Sequence, residues 1–347
     1  MNTEALHNIL VVIPTLNEAR GIQPVITRLL EDLPTEASVR LVVMDGGSTD
    51  GTVALVEKMA ASEPRLQVRP NPKRIQSAAV NLAVRQFGQD AQVLIRCDAH
   101  AVYPRGYVRS LVESLQRTGA DAVVVPMDST GDNCVQRAVA WVSDTPLGSG
   151  GSAHRGGRKS GFIDHGHHAA FRMASFTRAG GYDESFSHNE DAELDCRQRA
   201  LGSRIYLDAE IRLGYHPRDT LRGLWRQYFG YGKGRARTVR RHPGSLRPRQ
   251  LAVPVHLLLS VLCIVLAVWL PWLLVWPALY VAALIGASLM IALRRGSVCG
   301  LLAGPAAGVM HAAWASGFVW SFVFLREKQW TPSAASPFWQ DSSLPQG

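Results

Sequence analysis

The sequence predicts an α/β domain built on a mostly parallel sheet, followed by a C-terminal set of transmembrane helices. Three observations carry this. Short apolar runs alternate with helix-length segments through the first third of the chain, which is the rhythm of parallel strands with helices on both faces of a sheet. Hydrophobic residues make up 47% of the 347 residues against 19% charged, and the apolar excess is concentrated between Leu251 and Leu325. The formal charge of +9 is localised too. From Arg218 to Arg249 the chain carries Arg218, Arg222, Arg226, Lys233, Arg235, Arg237, Arg240, Arg241, Arg247 and Arg249 against the single acid Asp219.

Taken in order, Ile9–Ile13 is a buried strand followed by a helix from Ala19 to Asp32, and Val39–Met44 is a strand followed by a helix over Asp50–Ala61. Leu66–Arg69, a helix from Arg74 to Phe87 and a strand at Val93–Arg96 continue the pattern, which Tyr107–Arg117 and Ala122–Val125 complete. The Gly- and Ser-rich stretch Asp144–Lys159 reads as a loop and, by its position, as a candidate lid. Leu251–Leu270 and Trp272–Leu293 are each long enough to cross a bilayer, and Leu301–Leu325 is a third apolar segment, interrupted by Gly304-Pro305, Gly308 and His311, that either spans or lies partly re-entrant. The expected organisation is therefore a catalytic domain over 1–217, a basic juxtamembrane linker over 218–250, membrane helices over 251–326 and a tail over 327–347.

The basic stretch lies directly before an apolar span, which points to a membrane surface. No helix-turn-helix, zinc or RNP pattern accompanies it, so a nucleic-acid partner is not expected. The five cysteines, Cys97, Cys134, Cys196, Cys263 and Cys299, show no metal or redox spacing and read as reduced thiols. No secretory signal precedes the first strand, so the N-terminal domain is expected in the cytoplasm of a multi-pass inner-membrane protein. Positive-inside counting puts the linker and Arg294-Arg295 there, but three spans would leave Arg326 and Lys328 outside.

Ligands of open α/β sheets bind beyond the carboxyl ends of the strands, so the loops there hold the candidates. Pro14-Thr15-Leu16-Asn17-Glu18 closes the first strand and offers groups for a base or ribose. Asp45-Gly-Gly-Ser48-Thr-Asp50-Gly-Thr52 closes the second, its glycines and Ser48 allowing close backbone approach while Asp45 accepts from a nucleoside donor. Arg96-Cys97-Asp98-Ala99-His100 places Asp98 and His100 two residues apart, on one side of an extended segment, as a divalent ion bridging phosphates would need. His188-Asn189-Glu190-Asp191 opens an amphipathic helical pattern, where carboxylates are favoured by the dipole and can stay ionised to act as a base. Capping by Asn189 or Asp191 is the simpler role for that stretch.

In this order and spacing the loops resemble the family 2 glycosyltransferases, whose GT-A fold carries Pro-x-x-Asn-Glu, an Asp-Gly-Ser-x-Asp-x-Thr loop, a metal-binding Asp-x-Asp and an acceptor-side Glu-Asp. The match runs from about Ile9 to His216. Asn71-Pro-Lys-Arg74-Ile-Gln-Ser77, Asp98-Ala-His-Ala-Val-Tyr-Pro104 and Trp225–Arg235 look most like the bacterial succinoglycan-type exopolysaccharide glucosyltransferases. The resemblance implies a nucleoside pocket of Pro14, Asn17, Glu18, Asp45, Ser48 and Arg74, and a metal site of Asp98 with His100 and His216. It implies Asp191 as catalytic base with Glu190 beside it, and Gly180-Gly181 as the turn before that helix.

The implied activity is inverting, metal-dependent transfer of a sugar, glucose from UDP-glucose, to a polyprenyl-pyrophosphate-linked saccharide. A polyprenyl-phosphate acceptor and a non-catalytic nucleotide-binding scaffold are the alternatives. Two departures matter. His100 replaces the family's second metal Asp and suits Mn²⁺ better than Mg²⁺. Gln227-Tyr-Phe-Gly-Tyr231 lacks the Arg and Trp of processive members, which favours single-sugar transfer. His165, His167 and His168 fall in an acceptor-side segment and read as acceptor contacts or packing before a metal cluster, while Arg218, Arg222 and Lys233 are candidates to clamp a pyrophosphate or to form a basic collar.

Overall fold

A computed structural model describes residues 6–31, 33, 37–149 and 158–332. The glycine-rich centre of the expected lid and the end of the tail lie outside the described residues. The elements run β1 (Asn8–Thr15), α1 (Ile22–Leu30), β2 (Ser38–Asp45), α2 (Thr52–Ala60), β3 (Leu66–Pro70), α3 (Gln76–Phe87), β4 (Val93–Arg96), α4 (Tyr107–Thr118), β5 (Ala122–Val124), β6 (Met127–Ser129), α5 (Cys134–Ser143) and α6 (Pro146–Ser149). They continue with β7 (Gly161–Ile163), β8 (His168–Arg172), α7 (Met173–Arg178), α8 (Glu190–Ala200), β9 (Ile205–Leu207), β10 (Leu213–Tyr215), α9 (Leu221–Arg241), α10 (Pro248–Leu266), α11 (Val275–Arg295) and α12 (Ala303–Phe324).

The chain divides into two compact units. One takes residues 6–127 and 158–214, the other 128–149 and 215–330. The first unit holds an eight-stranded sheet of order β3-β2-β1-β4-β8-β5-β9-β7. Strands β1 to β4 pair in parallel, β8 runs antiparallel between β4 and β5, and β7 closes the edge antiparallel to β9. Strand β1 is buried along both faces, from Ile9 to Ile13, which is why it reads as an unbroken apolar run. Helix α1 buries Ile22, Val25, Ile26 and Leu29, the i, i+3, i+4, i+7 stripe of an amphipathic helix.

Three helices start two or three residues later than the periodicity predicts, each for a local reason. The Ala19 N–H donates to Asp50, and the Glu18 carbonyl takes the Ile22 N–H, so α1 begins at Ile22. Gly51 at φ +92° and Arg74 at φ +57° hold left-handed turns that delay α2 and α3.

In the second unit, Val139 and Val142 of α5 pack with Leu224 of α9, Ile291 of α11 and Ala303, Ala306, Ala307 and Met310 of α12. The segment 128–149, drawn from the sequence as part of the catalytic domain, therefore packs with the C-terminal helices. Cys134 and Cys299 form a disulfide with Cα atoms 4.8 Å apart, which corrects the expectation of reduced thiols throughout. Their separation of 165 residues hides the pairing from any local spacing rule. Cys97 and Cys263 are buried thiols. Among the described residues, three helices are long and apolar enough to cross a membrane.

Candidate active site

The loops after β1 and β2 are bonded to each other along their length. The Asn17 N–H donates to Ser48 Oγ at 2.8 Å, the Thr49 N–H returns to Asn17 Oδ1 at 2.8 Å, and the Glu18 N–H donates to Thr52 Oγ1 at 3.0 Å. Asn17 takes φ +57°, a conformation asparagine tolerates better than most residues. Asp45 is buried, and its Oδ2 accepts the Gly47 and Ser48 N–H groups at 2.8 and 2.9 Å. Parallel pairing of Pro14 with Met44 and of Thr15 with Asp45 sets this register. The exposed Arg74 guanidinium lies over Gly47, where an added Cβ would sit 3.1 Å from Arg74 Nη2. The structure thus brings Pro14, Asn17, Glu18, Asp45, Ser48 and Arg74 together as one rim.

The second cluster surrounds Arg96, at the end of β4 and only 5% exposed. Its Nη1 donates to both Asp191 oxygens at 2.8 and 2.9 Å, and its Nη2 to Asp98 Oδ1 at 3.2 Å. Tyr182 OH donates to Asp191 Oδ1 at 2.8 Å, and Gln76 Nε2 to Asp98 Oδ1 at 3.0 Å. Because β8 runs antiparallel to β4, the residues just before β8 lie beside those just after β4. That places His167 between the carboxylates, with Nε2 3.6 Å from Asp98 Oδ2 and Nδ1 3.8 Å from Asp191 Oδ2. The Tyr103 hydroxyl takes the Asp98 N–H at 2.6 Å and pins that turn.

Helix α8 opens without a side-chain cap: Asn189 adopts φ +68° and Asp191 is turned to Arg96 and Tyr182. The capping alternative for Asn189 and Asp191 is therefore set aside. His165 pairs with the buried Asp195 at 2.5 Å, behind Asp191 on the same helix. The side chain of His168 lies outside the described residues.

The electrostatics follow from this packing. Burial opposes the Arg96 charge, but the Asp191 and Asp98 carboxylates outweigh it and hold its proton well above the usual arginine range. Asp98 feels the opposing pulls of burial, which raises it, and of Arg96, His167 and His100, which leave it below the ordinary carboxylate value. Burial and the Asp191 charge push Glu190 up to about 7. Burial likewise raises Tyr182, so its hydroxyl stays a donor.

Sequence reasoning missed Arg96, Tyr182 and Gln76 as site residues, and weighed His167 as an acceptor contact or packing residue rather than as a neighbour of both carboxylates. Arg96 opens the quoted Arg96–His100 loop and Tyr182 directly follows the quoted Gly180-Gly181 turn, yet only the fold shows that they converge. His100 bonds Glu18, Nδ1 to Oε1 at 2.9 Å, and its charge also acts on Asp98, while His167 Nε2 lies 3.6 Å from Asp98 Oδ2. His216 lies in the second unit, with Nδ1 3.9 Å from Asp132. Among the described residues no group of three or more His, Cys, Asp or Glu side chains forms a metal cage. One available carboxylate is still the donor set of an ion that takes its remaining ligands from substrate phosphates. Asp98 Oδ2, which neither Arg96 nor Gln76 occupies, fits that description.

Residues 10–179 match the Glycosyl transferase family 2 profile. The chain is 45% identical over 313 residues to the succinoglycan biosynthesis protein ExoA of Rhizobium meliloti strain 1021, covering 89% of this chain and 93% of that protein. A polyprenol monophosphomannose synthase of Mycolicibacterium smegmatis is 30% identical over 118 residues, 33% of this chain and 43% of that enzyme. Among solved structures, the mannosyltransferase PcManGT of Pyrobaculum calidifontis, in complex with GDP-Man and Mn²⁺, superposes with a TM-score of 0.56 at 21% identity. That alignment covers 91% of this chain and 87% of that one, and shows the shared GT-A fold. With a sheet and loop order of this kind and a relative so similar over nearly its whole length, the chain belongs to glycosyltransferase family 2.

Proposed function

We propose that this glycosyltransferase moves glucose from UDP-glucose to a polyprenyl-pyrophosphate-linked saccharide during exopolysaccharide synthesis, at the cytoplasmic face of the inner membrane, with inversion at the anomeric carbon. The observation that carries the chemistry is the convergence of Asp98 and Asp191 on Arg96, with Glu190 next to Asp191 at the start of α8, beside a rim suited to a nucleoside. The similarity to a succinoglycan biosynthesis protein supports the pathway.

In this reading Asp45, Asn17 and Ser48 receive the base and ribose, and Arg74 lies against the phosphates. Asp98 would hold a divalent ion, Mn²⁺ or Mg²⁺, which offsets charge on the departing diphosphate. Arg96 and Tyr182 orient Asp191. Asp191 takes the proton of the acceptor hydroxyl as its oxygen bonds to the anomeric carbon, while the bond from that carbon to the UDP oxygen breaks.

Glu190 sets the pH at which this works. When it ionises, its charge raises the proton affinity of the neighbouring Asp191, so the rate is expected to rise with pH through about 7. Glu190→Gln should lose that acidic limb in a pH–rate profile, and an unchanged limb would remove Glu190 from the role. Stability runs the other way. A carboxyl raised in the folded state contributes stability below its unfolded value and loses it as pH rises towards 7. Glu190→Gln should therefore be more stable than wild type above pH 7, by on the order of 1–3 kcal/mol.

The reading is tested by incubating membranes containing the protein with labelled UDP-glucose, UDP-galactose or GDP-mannose, a lipid extract and either Mn²⁺ or Mg²⁺. Glucose transfer to lipid-linked saccharide that EDTA abolishes is expected. Transfer to simple polyprenyl phosphate, or from another donor only, would replace the corresponding part of the assignment.

A further inference from the structure

Helix α12 is apolar enough to cross a bilayer, but its surroundings are unlike those of the two helices before it. Half of its most apolar stretch is buried within the protein, against 11% for α10 and 11% for α11. Its buried positions include Ala303, Ala306, Ala307, Ala313, Ala315 and Gly317, so its hydrophobicity serves an internal core.

The partner along its second half is α9. Gly317 leaves room only for the Phe229 carbonyl, and Gly232 only for that of Trp314. Ser321 Oγ donates to the Lys233 carbonyl at 3.1 Å, and the Trp330 N–H to that of Arg241 at 3.1 Å. The Glu327 carboxylate accepts from Arg237 and, at 2.8 Å, from Arg241. From the Phe229–Gly317 contact to the Arg241–Trp330 contact the residue numbers rise on both sides, so the two helices run parallel and side by side. Yet α9 carries seven cations between Arg222 and Arg241 and no acid. Such a helix cannot cross hydrocarbon, whereas a basic amphipathic helix lies well in the headgroup region. A helix packed parallel against it lies in the same plane.

We propose that α12 does not cross the membrane: α9 and α12 form an in-plane platform against anionic headgroups, and only α10 and α11 enter the bilayer, leaving and returning on one face. At 19 and 21 residues these two are about 28 and 31 Å long, close to the roughly 30 Å hydrocarbon thickness. They expose Leu258, Val261, Val265, Leu279, Ile285 and Leu289. The conflict in the charge count also disappears. Arg294 and Arg295, then Arg326 and Lys328, share one face with the end of α9.

The inference rests on the reading of α10 and α11 as membrane-inserted, and the experiment tests both layers. Full-length protein with different epitope tags at its two ends is challenged with protease in intact spheroplasts, in inside-out vesicles and after detergent. Both tags should be cut in inside-out vesicles, and both protected in spheroplasts. One tag cut and the other protected in the same preparation would establish an odd number of crossings and overturn the proposal. Release of the chain by alkaline carbonate would show that the hairpin does not insert. Glycosyl transfer in the same membranes reports on the catalytic proposal separately.

Discussion

Asp191→Asn is expected to lower kcat by about 10²- to 10⁴-fold while leaving nucleotide binding nearly intact. Asn keeps the size of the side chain and its contact with Arg96, but it can no longer accept a proton. The donor loops are anchored on Asp45, Asn17 and Ser48 and do not depend on Asp191. Single-turnover transfer to lipid-linked saccharide, alongside UDP binding by calorimetry, measures the two effects apart. Equal turnover by wild type and variant would remove Asp191 from proton transfer. It would also favour an acceptor already ionised, such as a phosphate.

The largest effect on stability is expected at Arg96. This guanidinium is nearly fully buried and is shared by Asp98 and Asp191. Arg96→Met fills a similar volume but leaves both carboxylates facing His167 without their main counter-charge. Breaking a buried pair from one side costs about 3–5 kcal/mol, because the remaining charge stays desolvated. Thermal unfolding should show the deficit at neutral pH. Asp98 is held below its unfolded value, so its contribution is present above that value and is lost as pH falls through the folded one. The gap between wild type and Arg96→Met should therefore narrow in acid. Adding Asp191→Asn to Arg96→Met should recover part of the loss, since one of the stranded charges is gone. Strict additivity of the two changes would mean that Arg96 acts elsewhere.

Both predictions depend on a convergence that is not written in the order of residues. What the sequence determined by itself was local. The apolar runs of β1, β2 and β4 dictate a parallel sheet, because strands buried on both faces must be apolar throughout. The Asn17-Glu18, Asp45–Thr52, Asp98 and Glu190-Asp191 motifs, in that order and spacing, resemble those of the family 2 glycosyltransferases, and that resemblance is legible without the fold.

Tertiary structure decided the rest. His100, two residues from Asp98 in sequence, bonds Glu18 while its charge also acts on Asp98, and antiparallel insertion of β8 beside β4 adds His167 on the same carboxylate. Cys134 and Cys299 meet across 165 residues. Helix α12 has the hydropathy of a membrane span yet packs as a core helix against α9. Hydropathy and spacing report what a segment can bury or bond, and only the fold decides against what: apolar surface is satisfied equally by lipid or by protein, and a carboxylate by whichever cation the sheet brings within reach.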